Sequence, residues 1–200
     1  MAKKGIKNHF SLMALLLIPI AVGINIVAYQ IGHQVLKLPV FLDTIGTIMV
    51  AILAGPWVGL VTGLVTTLAN AIVHPTILPF GIVAMAIGAG AGILSKLGMF
   101  QKAWKVAVSG FVIASIATII SAPILVFLFG GITGSTGSAI TAAFLASGQK
   151  IWTAVFSSQF IIEITDKVIS CFAAITIVKS MSARQLSKLH YGNLYIKKKK

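Results

Sequence analysis

The chain has 200 residues, 58% of them hydrophobic and 10% charged, with 16 lysines and arginines against three acids and a net charge of +13. A soluble domain carries about 25% charged residues, so this composition excludes an ordinary water-soluble fold and points to a bilayer as the solvent. The basic excess gathers at the ends of apolar runs, which excludes nucleic acid as a partner, and the lone Cys171 lies inside such a run, which excludes a disulfide framework.

In lipid the backbone must satisfy its own hydrogen bonds, so spanning segments are helices or a closed barrel. The apolar runs are too long and continuous for the alternation of barrel strands, and the expected fold is an all-α, polytopic membrane protein. Six spans are predicted, at about 10–30, 40–54, 57–73, 79–97, 106–129 and 157–179. Lys3, Lys4 and Lys7 precede the first run as they do in a signal peptide, but the run is longer than a signal's apolar region, so it reads as an uncleaved span. The second span is short, follows Pro39 and is separated from the third by Gly55-Pro56; a re-entrant or tilted segment is an alternative for it. Residues 130–156 read as a Gly/Ser/Thr-rich outer loop followed, over about 138–156, by a short interfacial helix anchored by Trp152. Residues 180–200 read as a basic cytoplasmic tail whose run Lys197 to Lys200 marks topology or touches anionic membrane lipid.

Six spans put the N-terminus, the turn after span two, the loop after span four and the C-terminus on one side. That side collects Lys3, Lys4, Lys7, Lys96, Lys102, Lys105, Lys179, Arg184, Lys188 and the terminal lysines, against Lys37 and Lys150 on the other. The asymmetry places both termini in the cytoplasm of a multi-pass protein of the cell membrane. Small residues recur at helical spacing, Gly55, Gly59 and Gly63 and again Ala84, Gly88 and Gly92, and let helices approach closely in lipid. Packing within one bundle is the plain reading; a face offered to another subunit is the sharper one. Ala14, Ala21 and Ala28 line one side of span one, with Pro19 between.

Polar residues at membrane depth carry the functional signal. Asp43, Thr44 and Thr47 head span two, Thr66, Thr67 and Asn70 lie near the outer end of span three, and His74 follows. Asp43 reads as the helix N-cap of span two, with direct ligand contact as the other possibility. In span six, Gln159, Glu163, Asp166 and Ser170 share a face; Glu163 and Lys167 stand at i, i+4 in the order that favours an ion pair, and Asp166 has no partner at i±3 or i±4. A polar stripe descending from the outer surface is expected to wall a cavity for a small solute. Gln159, Glu163 and Asp166 are then the reading residues, faced by Asn70 and closed from above by Gln149 and Trp152, with Asp43, Thr44 and Thr47 as the rim. No second His or Cys stands at ligand spacing, so no metal site is expected. No phosphate-binding loop and no assembled Ser/His/Asp group is present either, so neither a cofactor in this chain nor enzymatic activity is expected.

The stretches LPVFLDTIGTIMVAILAGPWVGLVTGL, LVFLFGGITGSTGS and GQKIWTAVFSSQF, with the acidic sixth span, resemble the S components of energy-coupling factor transporters, and the likeness covers most of the chain. The resemblance implies a six-helix substrate-capture subunit that takes a vitamin, precursor or related micronutrient from outside. It implies partners as well: one transmembrane coupling subunit and two ATPase subunits that use the ATP. It puts the site near the outer face, built from helices four to six and the outer loops, and the docking face on helix one, which in that family often carries A-x-x-x-A. That spacing is absent here, and Ala14, Ala21 and Ala28 stand in its place. A membrane sensor or scaffold and a stand-alone facilitator remain as alternatives, although no repeat relates the two halves of the chain as in many secondary transporters.

Overall fold

A computed structural model describes residues 10–196; Lys3, Lys4, Lys7 and Lys197 to Lys200 lie outside the described residues. Among the described residues the fold is all helical, with eight α-helices: α1 Leu12–Tyr29, α2 Ile45–Ala54, α3 Pro56–Ala71, α4 Gly81–Lys96, α5 Ala103–Phe129, α6 Ser138–Ala146, α7 Ile151–Ser180 and α8 Ala183–Leu186. The Ser11 hydroxyl opens α1 by accepting the Ala14 N–H at 3.2 Å. Gly55, at φ +99°, turns the chain between α2 and α3, and Pro56 starts α3 at a position where the missing N–H costs nothing. Gly130, left-handed at φ +60°, ends α5.

Three segments are long and apolar enough to cross a membrane, Leu12–Gly32, Pro75–Lys96 and Ala103–Phe129. Large apolar side chains face outward along them, among them Leu16, Ile20, Ile82, Ile93, Phe111 and Ile119. This outer surface is suited to lipid and not to water. The other predicted spans differ in instructive ways. The second begins only at Ile45, and its ten residues rise about 15 Å, half of a hydrocarbon core of roughly 30 Å. All of it from Gly46 to Ala54 is buried, so α2 is a core helix enclosed by its neighbours. The sixth predicted span is part of α7, which is 30 residues long and starts at Ile151. The expected interfacial helix over 138–156 is therefore two things: α6, which stops at Ala146 before Gly148 at φ +86°, and the first turns of α7. Trp152 belongs to α7.

The small residues pack helix on helix inside the chain. A Cβ on Gly59 would lie 2.6 Å from the Gly88 carbonyl oxygen, and a Cβ on Gly88 would overlap the Gly59 carbonyl. Gly63 meets Ala84 and Gly92 meets Pro56 in the same way, so the two predicted stripes are one α3–α4 interface. Span one needs a correction. Ala14 and Ala21 are buried, with Ala21 against Gly46 of α2, and Ala28 is half-buried beside the buried Tyr29, so these three alanines do not form a free docking face. The exposed side of α1 runs instead through Leu16, Ile20, Gly23 and Val27.

Asn25, in the middle of α1, ties three helices. Its Oδ1 accepts the Gly46 N–H at 2.7 Å, and its Nδ2 donates to Thr47 Oγ1 and Thr66 Oγ1, each at 2.9 Å. Asn25 thus does for the first turn of α2 what a helix cap does, from another helix.

Gly88→Val is expected to destabilise the protein by about 1–3 kcal/mol through overpacking, read as a lower midpoint in thermal unfolding of the detergent-solubilised protein. Gly23→Ala, where a Cβ meets nothing within 4 Å, is expected to leave the midpoint unchanged or raised.

Candidate functional site

At one end of the bundle the loop 36–44, the segment 74–80, the loop 130–137 and the N-terminal half of α7 surround a cavity of about 500 Å³. That is within the range of small-molecule sites. Tyr29, Phe41 and Phe80 give it aromatic walls, and Thr44, Thr67 and Ser121 give it hydroxyls. Its α7 side carries Gln159, Glu163 and Lys167, one helical turn apart, and Asp43 stands across from them.

The charges of this wall form one cluster. The three acids of the chain, Asp43, Glu163 and Asp166, all reach Lys167, whose Nζ is 4.0 Å from Asp43 Oδ1 and 3.3 Å from Glu163 Oε2 and donates a hydrogen bond to Asp166 Oδ2. Lys167 is 2% exposed and Asp166 wholly buried. Four ionisable groups at this depth are tolerable only because opposite charges meet; a lone buried charge costs several kcal/mol. Asp166 serves the backbone as well. Its Oδ1 accepts the Leu42 N–H at 2.7 Å. Leu42 and Lys37 are non-glycine residues at positive φ, +54° and +51°, a conformation that surrounding contacts must hold in place. Asp166 is one such contact, and the Leu42 side chain against Gly32 is another. The Thr136 hydroxyl adds a third clamp, donating to the Leu38 carbonyl at 3.0 Å.

The predicted site residues divide accordingly. Gln159, Glu163, Asp43 and Thr44 come together on the cavity. Asp166 sits behind the wall as an ion-pair and loop anchor, not in the lining. Thr47 is turned into the bundle, bound to Asn25. Asn70 is buried in α3 away from the lining. Trp152 lies on the outer surface between Phe127 and Phe156, at ring separations of 5.4 and 6.2 Å, because α7 turns that face away from the cavity. Gln149, in the link before α7, does not line the cavity either, and its Oε1 is buried without a hydrogen-bond partner. Asp43 is no N-cap: Thr44 occupies that position, without a side-chain cap bond, and Asn25 serves the first turn. The Glu163–Lys167 pair expected from spacing is present, but Glu163 Oε2 makes no hydrogen bond within it.

The aromatic walls, Lys37 at the mouth and Ser121 of α5 carried no polar or periodic signal that marks a site. Lys167 did, through its i, i+4 relation to Glu163, but its role as common partner of three acids depends on a contact across more than 120 positions. Among the described residues no group of three or more His, Cys, Asp or Glu side chains is placed to hold a metal ion. Compared with protein-family models, curated proteins and solved structures, the chain matches none of them.

Lys167→Met removes the ammonium and leaves three carboxylates together. It is expected to cost about 3–5 kcal/mol and to lower the yield of monodisperse protein in size-exclusion chromatography. Adding Asp166→Asn, which keeps an acceptor for the Leu42 N–H, is expected to recover part of that loss. Equal damage in the single and double variants would show that the charge balance is not what holds this wall.

Proposed function

We propose that the chain is the substrate-capture subunit of an ATP-driven importer of the energy-coupling factor type. In this reading it crosses the cell membrane six times, through α1, α2 with the loop before it, α3, α4, α5 and α7, with both termini in the cytoplasm. The cavity faces outward and takes up a small micronutrient. The observation that carries the reading is the position of the cavity: a small-molecule-sized hollow with buried charges at one end of an apolar bundle. Polar residues at that depth are costly and mark solute paths.

The distribution of basic residues supports the orientation. The loops at the cavity end hold Lys37 and Lys150, whereas Lys96, Lys102, Lys105, Lys179, Arg184 and Lys188 flank the other end. The sequence stretches that resemble S components support the transporter class. The partners in this reading are a transmembrane coupling subunit and two ATPase subunits. Their docking face on α1 is the exposed side through Leu16, Ile20, Gly23 and Val27, since Ala14 and Ala21 are taken up by the chain's own packing.

Two experiments test this. Single cysteines introduced on a Cys171→Ser background at exposed Ser147 and Gln101 are expected to label from outside and from the cytoplasm respectively; the reverse pattern overturns the orientation. In proteoliposomes the chain alone is expected to give no ATP-driven uptake, and uptake is expected once a coupling subunit and its ATPases are added. Gly23→Trp is expected to reduce that uptake at least tenfold with solute binding unchanged, whereas Ala21→Trp is expected to lose folded protein. Undiminished uptake by Gly23→Trp moves the docking face off α1.

A further inference from the structure

The acids around the cavity outnumber the cation they share. Asp166 is satisfied twice, by the Leu42 N–H and by Lys167. What remains is Asp43 and Glu163, the two acids in the cavity wall. Among the described residues Lys167 is the cation paired with each of them, at 4.0 and 3.3 Å. One ammonium thus serves three carboxylates in a chain that otherwise holds a large excess of lysine. Lys37 lies at the mouth, exposed, and forms none of these pairs. His74 lines the far wall, where its ring meets Tyr29 edge-on at 5.9 Å.

A second observation is independent of the charge count. Glu163 is 5% exposed, and its Oε2 is held by the ion pair with Lys167 at 3.3 Å and by no further hydrogen bond. The hydroxyls of Thr44 and Ser121, which line the same cavity and are both 2% exposed, have no hydrogen-bond partner. Buried polar atoms in folded proteins are nearly always paired, and two unpartnered hydroxyls beside a carboxylate whose Oε2 has only an ion pair define a set of interactions left for a ligand. The ligand that completes them brings positive charge to Glu163 and Asp43 and heteroatoms to the two hydroxyls. Tyr29, Phe41 and Phe80 favour a flat apolar body, and aromatic faces attract a cation further.

From this we infer that the solute of this cavity is a small organic cation with a planar, ring-like body, seated with its positive end between Asp43 and Glu163. The inference rests on the cavity being the capture site of the proposed importer and narrows its substrate class.

The test is isothermal titration of the full chain in neutral maltoside micelles with three probes of one shape: benzamidine, benzamide and benzoate. Benzamidine is expected to bind at least about tenfold more tightly than benzamide, about 1.4 kcal/mol, with no binding of benzoate. Glu163→Gln is expected to weaken benzamidine at least tenfold and to leave the weak benzamide binding as it was. Asp43→Asn, at a partly exposed position 4.0 Å from Lys167, is expected to act in the same direction, and it carries the test if Glu163→Gln fails to fold. Benzoate or benzamide binding as tightly as benzamidine overturns the inference. So does benzamidine binding undiminished in the folded variants, or no binding of any probe. Selective benzamidine binding without module-driven uptake leaves this inference standing and removes only the importer reading.

Discussion

The cavity end of this bundle depends on the Lys167 ammonium. It is the point where a helix and a loop distant in sequence are held together. Glu163 and Asp166 lie on α7 with it, and Asp43 comes from the segment before α2. Without the ammonium, three carboxylates would be pressed together in a low-dielectric wall, where their repulsion is weakly screened. With it in place, Asp166 accepts the Leu42 N–H, and the loop 36–44 can keep two residues in the left-handed region. The cavity is bounded by that loop, so a single cation sets both the charge of the site and the position of its cover.

The remainder of the bundle is built by rules that suit lipid. Apolar burial gives helices little reason to associate there, so close van der Waals approach and hydrogen bonds do the work. Gly59, Gly63, Gly88 and Gly92 bring α3 and α4 into backbone contact. Asn25 spends all three of its used hydrogen-bonding positions on other helices. Ser95 joins α4 to the Ile52 carbonyl of α2 at 2.9 Å and to the Tyr195 hydroxyl at 3.0 Å. The bonds of Asn25 and Ser95 both fix α2, which is buried from Gly46 to Ala54.

What the sequence made legible follows from distance along the chain. Relations inside one helix were readable from the 3.6-residue period: the Glu163–Lys167 pair, and the glycine series of α3 and α4, whose plain reading as internal packing matches the interface seen. Relations between segments were not. Asn25 lies in an apolar run and has nothing at i±3 or i±4 to reveal that it holds Gly46 and Thr66. Asp43 looked like a cap because it precedes a helix, yet its close contact is on α7. Direction around a helix was the other blind spot. Ala14 and Ala21 were read as outward, and Trp152 as facing the site, because small and aromatic residues serve inner and outer faces equally well in a membrane. The break at Gly148 was masked by helical character on both sides of it.

The shortness of α2 has a consequence for the shape of the hollow above it. Ten residues leave the space above Ile45 to be filled by something other than helix, and the cavity occupies it, with Asp43 and Thr44 at its edge. Beneath lies α2 itself, buried along its whole length from Gly46. At its far end the Tyr191 N–H binds the Leu53 carbonyl at 2.9 Å, and Tyr195 reaches Ser95. The hollow therefore ends blind, like a cup with a solid stem. Close-packed helix lies beneath the hollow along the whole buried length of α2. Motion of α2 breaks the hydrogen bonds of Asn25 and Ser95 together, so the floor of the cup moves as one piece or not at all.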